Sequence, residues 1–108
     1  MTRTWTAVAA ESDLFDGAAI AAIAVTPEGH DIALYALDGN VFATNNMCTH
    51  GNARLCEGFL EGHEIECPFH QGRFDIRTGA ATCAPATEVL KTWPVKIEGG
   101  QVYLDLGA

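Results

Sequence analysis

The chain has 108 residues, one domain's worth, and 48% of them are hydrophobic, enough for a single core. Asp and Glu number 14 against 6 Lys and Arg, a formal charge of −8. That balance excludes the basic footprint of a nucleic-acid binder, argues against attachment to an anionic membrane surface, and favours partners with basic patches.

In chain order, the longest strongly apolar run is Ala18 to Val25, far short of the roughly 20 residues that span a bilayer. Glu11, Asp13 and Asp16 precede it, where a secretory signal carries positive charge. The run is Ala-rich, which permits a helix, but its end at Thr26-Pro27 favours a strand. Asp31 to Leu37 reads as a strand, and Val41 to Thr44 as its hairpin partner across Asp38-Gly39-Asn40. Thr92 to Glu98 alternates, with Trp93, Val95 and Ile97 on one face. Gln101 to Leu106 does the same with Val102, Leu104 and Leu106, and Gly99-Gly100 supplies the turn between them. Trp5, Phe42, Trp93 and Tyr103 fall in strand-like segments and read as core. The expectation is an all-β antiparallel sandwich or barrel of about seven to nine short strands, forming one domain over residues 1–108.

The middle, roughly residues 45–85, is denser in Gly, Cys and His and reads as a functional insert of two loops on that scaffold. Four cysteines are too few for a disulfide scaffold. In a cytoplasmic protein they ligate metal, catalyse or are simply buried. Two clusters stand out: Cys48-Thr49-His50-Gly51 and Cys67-Pro68-Phe69-His70-Gln71-Gly72, with 16 residues between His50 and Cys67. Together they offer two thiolates and two imidazoles. Zinc accepts such a set in a tetrahedron, but structural zinc sites usually pair like ligands within a cluster. Here each cluster mixes Cys with His, which suits a dinuclear centre clamped from two sides.

The C-x-H … C-x-x-H pattern resembles the Rieske iron–sulfur signature. More widely, these clusters, Arg73-Phe74-Asp75, Thr78-Gly79, Cys83-Ala84-Pro85-Ala86 and Trp93-Pro94-Val95-Lys96-Ile97 resemble the small Rieske ferredoxins of bacterial aromatic-ring-hydroxylating dioxygenases, of naphthalene and biphenyl type. The resemblance implies one [2Fe–2S] cluster held by Cys48, His50, Cys67 and His70, with Phe69 and Pro85 shielding it. It also implies an electron carrier rather than an enzyme, serving between a flavoprotein NAD(P)H reductase and a terminal oxygenase. A diffusing carrier of this kind is expected to be a monomer with no membrane or nucleic-acid partner. The alternatives are a Rieske subunit of another reductase complex and a zinc-stabilised interaction module.

High-potential respiratory Rieske proteins carry an extra cysteine in each loop, joined as a disulfide. The corresponding positions here are Ala53 and Phe69. Where those proteins place a Ser and a Tyr that donate to sulfur, this chain has Gly72 and Phe74. Without those donors the reduced state is less stabilised, and the expected potential lies at the low end of the Rieske range, roughly −150 mV. Among the remaining residues, Cys56 and Cys83 read as small buried hydrophobes. His30 and His63 read as solvated turn residues, and Arg73 and Arg77 as ion-pair partners. Glu57, Glu61, Glu64 and Glu66 read as a solvated face or part of a docking surface.

Overall fold

The computed structural model describes residues 5–14, 22–37, 39–47, 53–68, 72–83 and 89–107. Among these residues the chain forms eleven strands in three antiparallel sheets. One sheet has the order β1-β11-β10, from β1 (Trp5–Ala10), β10 (Val95–Glu98) and β11 (Gln101–Asp105). A second has the order β2-β3-β4-β9, from β2 (Ala22–Val25), β3 (Ile32–Leu37), β4 (Asn40–Asn45) and β9 (Thr92–Trp93). The third runs β5-β6-β7-β8, from β5 (Phe59–Glu61), β6 (Glu64–Glu66), β7 (Arg73–Asp75) and β8 (Ala81–Cys83). The all-β antiparallel expectation holds.

β3 explains the architecture. Successive side chains of a strand point to opposite faces. Ile32 and Leu34 enter one core with Val41, Ala43, Trp93, Val102 and Leu104. Ala33 and Tyr35 enter a second core with Leu55, Ile65, Phe74, Ile76 and Leu90. A strand buried on both faces needs an unbroken apolar run, which is what Ile32 to Leu37 provides. The first core binds the sheets β1-β11-β10 and β2-β3-β4-β9 together, and the second attaches the sheet β5-β6-β7-β8 to the opposite face of β3.

The structure departs from the sequence-based expectations in particulars. There are more strands than expected because β5 to β8 have three residues each, too short for a periodic signal. Thr92 to Glu98 is not one strand. Pro94 has no N–H for a ladder, so the run splits into β9, which pairs with β4, and β10, which pairs with β11. Of Ala18 to Val25, residues 18–21 lie outside the described residues, and 22–25 form β2. Trp93 is buried, but Trp5, Phe42 and Tyr103 are half-buried. Trp5 and Tyr103 lie on the face of their sheet away from Val102 and Leu104, where the Lys96 ammonium covers both rings at 5.0 and 5.4 Å. Cys83 is exposed because β8 is an edge strand, and Cys56 is only partly buried against the second core.

Candidate metal centre

Cys48, His50 and His70 lie outside the described residues, as do Phe69 and Pro85. Cys67 is the sequence-predicted ligand within them, and the residues flanking each ligand segment are also described. Cys67 follows β6, is fully buried and is in no disulfide. Its backbone N–H donates to the Gly72 carbonyl at 2.7 Å, just ahead of β7, and so closes the base of the segment bearing His70. Pairing of Ile65 with Phe74 sets the register of that hairpin and turns both rows inward to the core.

The base of the first segment is closed by an antiparallel bridge between Met47 and Arg54. Leu55 N–H donates to the Asn46 carbonyl at 2.6 Å. Asn46 itself is fully buried. Its Oδ1 accepts from Cys56 N–H at 2.8 Å, and its Nδ2 donates to Asp31 Oδ1 at 3.0 Å. Asp31 also accepts from Arg54 Nη2 at 3.4 Å. Sequence reasoning missed Asn46. Its one sequence signal is a polar side chain at the foot of a ligand segment.

A third segment, 84–88, is anchored on its C-terminal side by Leu90, whose N–H donates to the Gly79 carbonyl at 2.8 Å. Ala53, Cys67 and Leu90 belong to one buried cluster with Leu55, Ile65 and Phe74. One residue beside each of the three segments therefore belongs to the same core cluster. The donor chemistry suits an iron–sulfur cluster: Cys67 presents a soft sulfur donor from an apolar, water-excluded base, and in the sequence an imidazole accompanies each cysteine of the two clusters. Among the described residues no three His, Cys, Asp or Glu side chains converge. Cys56, Cys83, His30 and His63 thus assemble no second centre there. A cleft of about 520 Å³ between Phe42, Ile76, Trp93 and Val95 has Arg77 as its charged lining residue.

The glutamates are organised by Arg73. On the outer face of the third sheet, pairing places Phe59, Glu66, Arg73 and Cys83 in one row and Glu61, Glu64 and Asp75 in the next. Arg73 reaches Glu66 at 2.9 Å, Glu64 at 3.6 Å and Glu61 at 3.8 Å. The hydrogen bond to Glu66 holds the guanidinium charged still more firmly than usual. Glu57 instead pairs with Arg54 at 3.8 Å. His30 and His63 are exposed, as expected of turn residues.

Arg77 donates to both oxygens of Asp75 at 3.1 and 3.0 Å. That pair, more than the Arg77 N–H or nearby His63, holds the Asp75 carboxyl below its ordinary range. A depressed carboxyl stabilises the fold above the unfolded value of about 3.9, and the contribution disappears as pH falls through the folded value. Asp75→Asn should therefore lower the thermal midpoint at pH 6, and the gap to the unsubstituted protein should narrow as pH falls below the ordinary carboxylate range. A gap unchanged over that fall in pH would contradict the assignment.

A sequence profile of the Rieske [2Fe-2S] domain matches residues 4–94. The ferredoxin component of the naphthalene 1,2-dioxygenase system of Pseudomonas putida is 53% identical over 106 residues, covering 98% of this chain and 99% of the relative. A ferredoxin of Sphingomonas yanoikuyae B1 has the same fold, with a TM-score of 0.84 and 42% identity over 94% of this chain and 98% of that one. A chain in the complex of reduced oxygenase and oxidized ferredoxin in carbazole 1,9a-dioxygenase gives a TM-score of 0.85 at 36% identity, over 96% of this chain and 94% of that one.

Proposed function

The chain belongs to the Rieske [2Fe-2S] domain family, and on that premise we propose that Cys48, His50, Cys67 and His70 hold its one cluster. The protein is an electron-transfer ferredoxin of an aromatic-ring dioxygenase system, a carrier and not a catalyst. Its electron acceptor is the terminal oxygenase. On this proposal its donor is a flavoprotein NAD(P)H reductase, and it works as a cytoplasmic monomer whose single domain spans residues 1–108, with the cluster-binding part at about 45–85.

The observation that supports the ligand assignment is that Ala53, Cys67 and Leu90, which stand beside the three segments in the sequence, share one buried cluster. When bound, a [2Fe–2S] cluster supplies a one-electron couple. The chain's own residues supply the rest. Cys67 offers its sulfur from a fully buried position, and the core behind it keeps water from that side of the site. The large exposed apolar residues among those described are Met47, Phe59 and Val89. Met47 adjoins Cys48, Val89 follows residues 84–88, and Phe59 pairs with Glu66, the residue before Cys67. Apolar contact area thus borders the ligand-bearing end of the molecule, where a partner must approach for electron transfer. The −8 charge steers basic partners towards it, so association should weaken with added salt.

The test is NADH-dependent turnover reconstituted from the purified chain, a flavoprotein reductase and a naphthalene-type oxygenase. Diol product that depends on the chain is expected, along with a red-brown colour and the paramagnetic signal of a reduced His/Cys-ligated cluster. A colourless, zinc-loaded protein, or an iron-loaded one that supports no turnover, would overturn the reading.

Phe74 is fully buried in the same cluster as Cys67 and stands where the high-potential respiratory proteins of the family carry a tyrosine. Phe74→Tyr should raise the midpoint potential. A hydrogen bond to sulfur that is about 1 kcal/mol stronger in the reduced state corresponds to about 40 mV for one electron. Protein-film voltammetry reads this shift directly, and a potential that stays put or falls would contradict the prediction.

A further inference from the structure

Asn46 is a polar side chain with no exposed surface, and among the described residues its hydrogen bonds run to Asp31 on one side and to Leu55 and Cys56, at the base of the first ligand segment, on the other. Its N–H donates to the Asp31 carbonyl at 3.0 Å, and its carbonyl accepts from Leu55 at 2.6 Å. Its carboxamide oxygen accepts from Cys56 N–H at 2.8 Å, and its carboxamide nitrogen donates to Asp31 Oδ1 at 3.0 Å. The side chain thus links the residue that precedes β3 to the 3₁₀ turn Leu55–Glu57, across the bridge between Met47 and Arg54. If the position served only to fill the core, a leucine of the same branched shape would do so without desolvating an amide. A buried carboxamide bonded through both its oxygen and its nitrogen instead fixes one geometry, because a displacement leaves a donor or acceptor unpaired.

We propose that Asn46 is the positioning residue of the first ligand segment, setting the separation and orientation of its two feet so that Cys48 and His50 meet the donors of the second hairpin. The proposal rests on the reading of Cys48 and His50 as ligands. Asn46 acts through the backbone of Met47 on one side and of Leu55 and Cys56 on the other. Among the described residues the second and third segments have simpler clasps, the bonds from Cys67 to Gly72 and from Leu90 to Gly79.

The test compares Asn46→Leu with Thr44→Val in the holoprotein. Thr44 lies in β4, two residues before Asn46, and is equally buried. Its hydroxyl is within 3.0 Å of the Tyr35 hydroxyl and donates to the Asn45 carbonyl at 2.9 Å, away from the ligand segment. Both variants lose buried hydrogen bonds and should lower the thermal midpoint. Asn46→Leu should also lose its visible absorbance in excess chelator about tenfold faster than the unsubstituted protein, with altered g-values in the reduced state. Thr44→Val should lose it within about twofold of the unsubstituted rate. Equal rates in the two variants with unchanged g-values would overturn the proposal and leave Asn46 a purely structural residue. If Asn46→Leu does not fold, Asn46→Asp takes its place under the same criteria, since it keeps the acceptor for Cys56 while setting a carboxylate against Asp31. Failure of the underlying ligand reading shows separately, as full iron retention in Cys48→Ser and His50→Gln.

Discussion

Cys67→Ser should reduce bound iron from about two per chain to less than about a tenth of that, with parallel loss of acid-labile sulfide and visible colour. The substitution exchanges sulfur for oxygen at nearly constant volume in a position with no exposed surface, so no cavity of consequence opens. What it removes is a soft thiolate donor, and oxygen is a poor replacement at an iron–sulfur cluster. The fold should suffer as well. Ligand binding to a site absent from the unfolded chain is itself folding free energy. If the cluster contributes several kcal/mol, the thermal midpoint should fall by more than about 15 °C for a domain near 100 residues. Cys56→Ser makes the same atomic change at a partly buried cysteine outside the two clusters and should leave iron content at its original value. Metal analysis and differential scanning calorimetry of the two variants separate the roles. Iron retained in Cys67→Ser would remove that residue from the ligand set.

How much of this was legible in the sequence depends on the range of the interactions involved. The β3–β4 and β10–β11 hairpins were readable because turn residues and period-two alternation lie within a dozen positions of each other. The outer face of the third sheet was partly readable too. Glu64 and Glu66 alternate with Ile65, and Arg73 and Asp75 alternate with Phe74, so their placement on one face follows from strand geometry. Which glutamates Arg73 would engage did not follow, because that depends on strand register. Pro94 was visible, but its consequence was not: the break in Thr92 to Glu98 hands the two halves to different sheets. The candidate ligands were legible because a cluster needs particular donor atoms at close spacing. The framework that holds their segments was not. Asn46 meets Asp31 across 15 residues and Cys56 across 10, and no local pattern announces such pairs.

Gly79 is the other residue whose role appears only in three dimensions, and Gly79→Ala should be among the most damaging single substitutions in the chain. In sequence it marks a turn between β7 and β8. In the structure it has φ +82°, and a Cβ there would overlap the Leu90 carbonyl and lie 3.3 Å from Thr92 Cγ2. The same residue accepts the Leu90 N–H through its own carbonyl and donates to the Asp75 carbonyl at 2.7 Å. A methyl group must therefore push the backbone at Leu90 away or unwind the turn, and either response draws Leu90 out of the cluster it shares with Cys67 and Ala53. Gly39→Ala is the natural comparison. Its φ is +81°, but nothing lies within 4 Å of the added carbon. That variant should carry only the conformational cost of a left-handed alanine, about 1–2 kcal/mol. Gly79→Ala adds the displacement of a buried leucine, for a total of about 3–5 kcal/mol. At 4–8 °C per kcal/mol the two thermal midpoints should differ by roughly 10–25 °C. Because Leu90 shares the buried cluster of Cys67, Gly79→Ala should also speed bleaching by chelator, whereas Gly39→Ala should not. Equal midpoints and equal bleaching in the two variants would show that the backbone contact with Leu90 carries no weight, and that residues 89–91 can shift without disturbing the core behind Cys67.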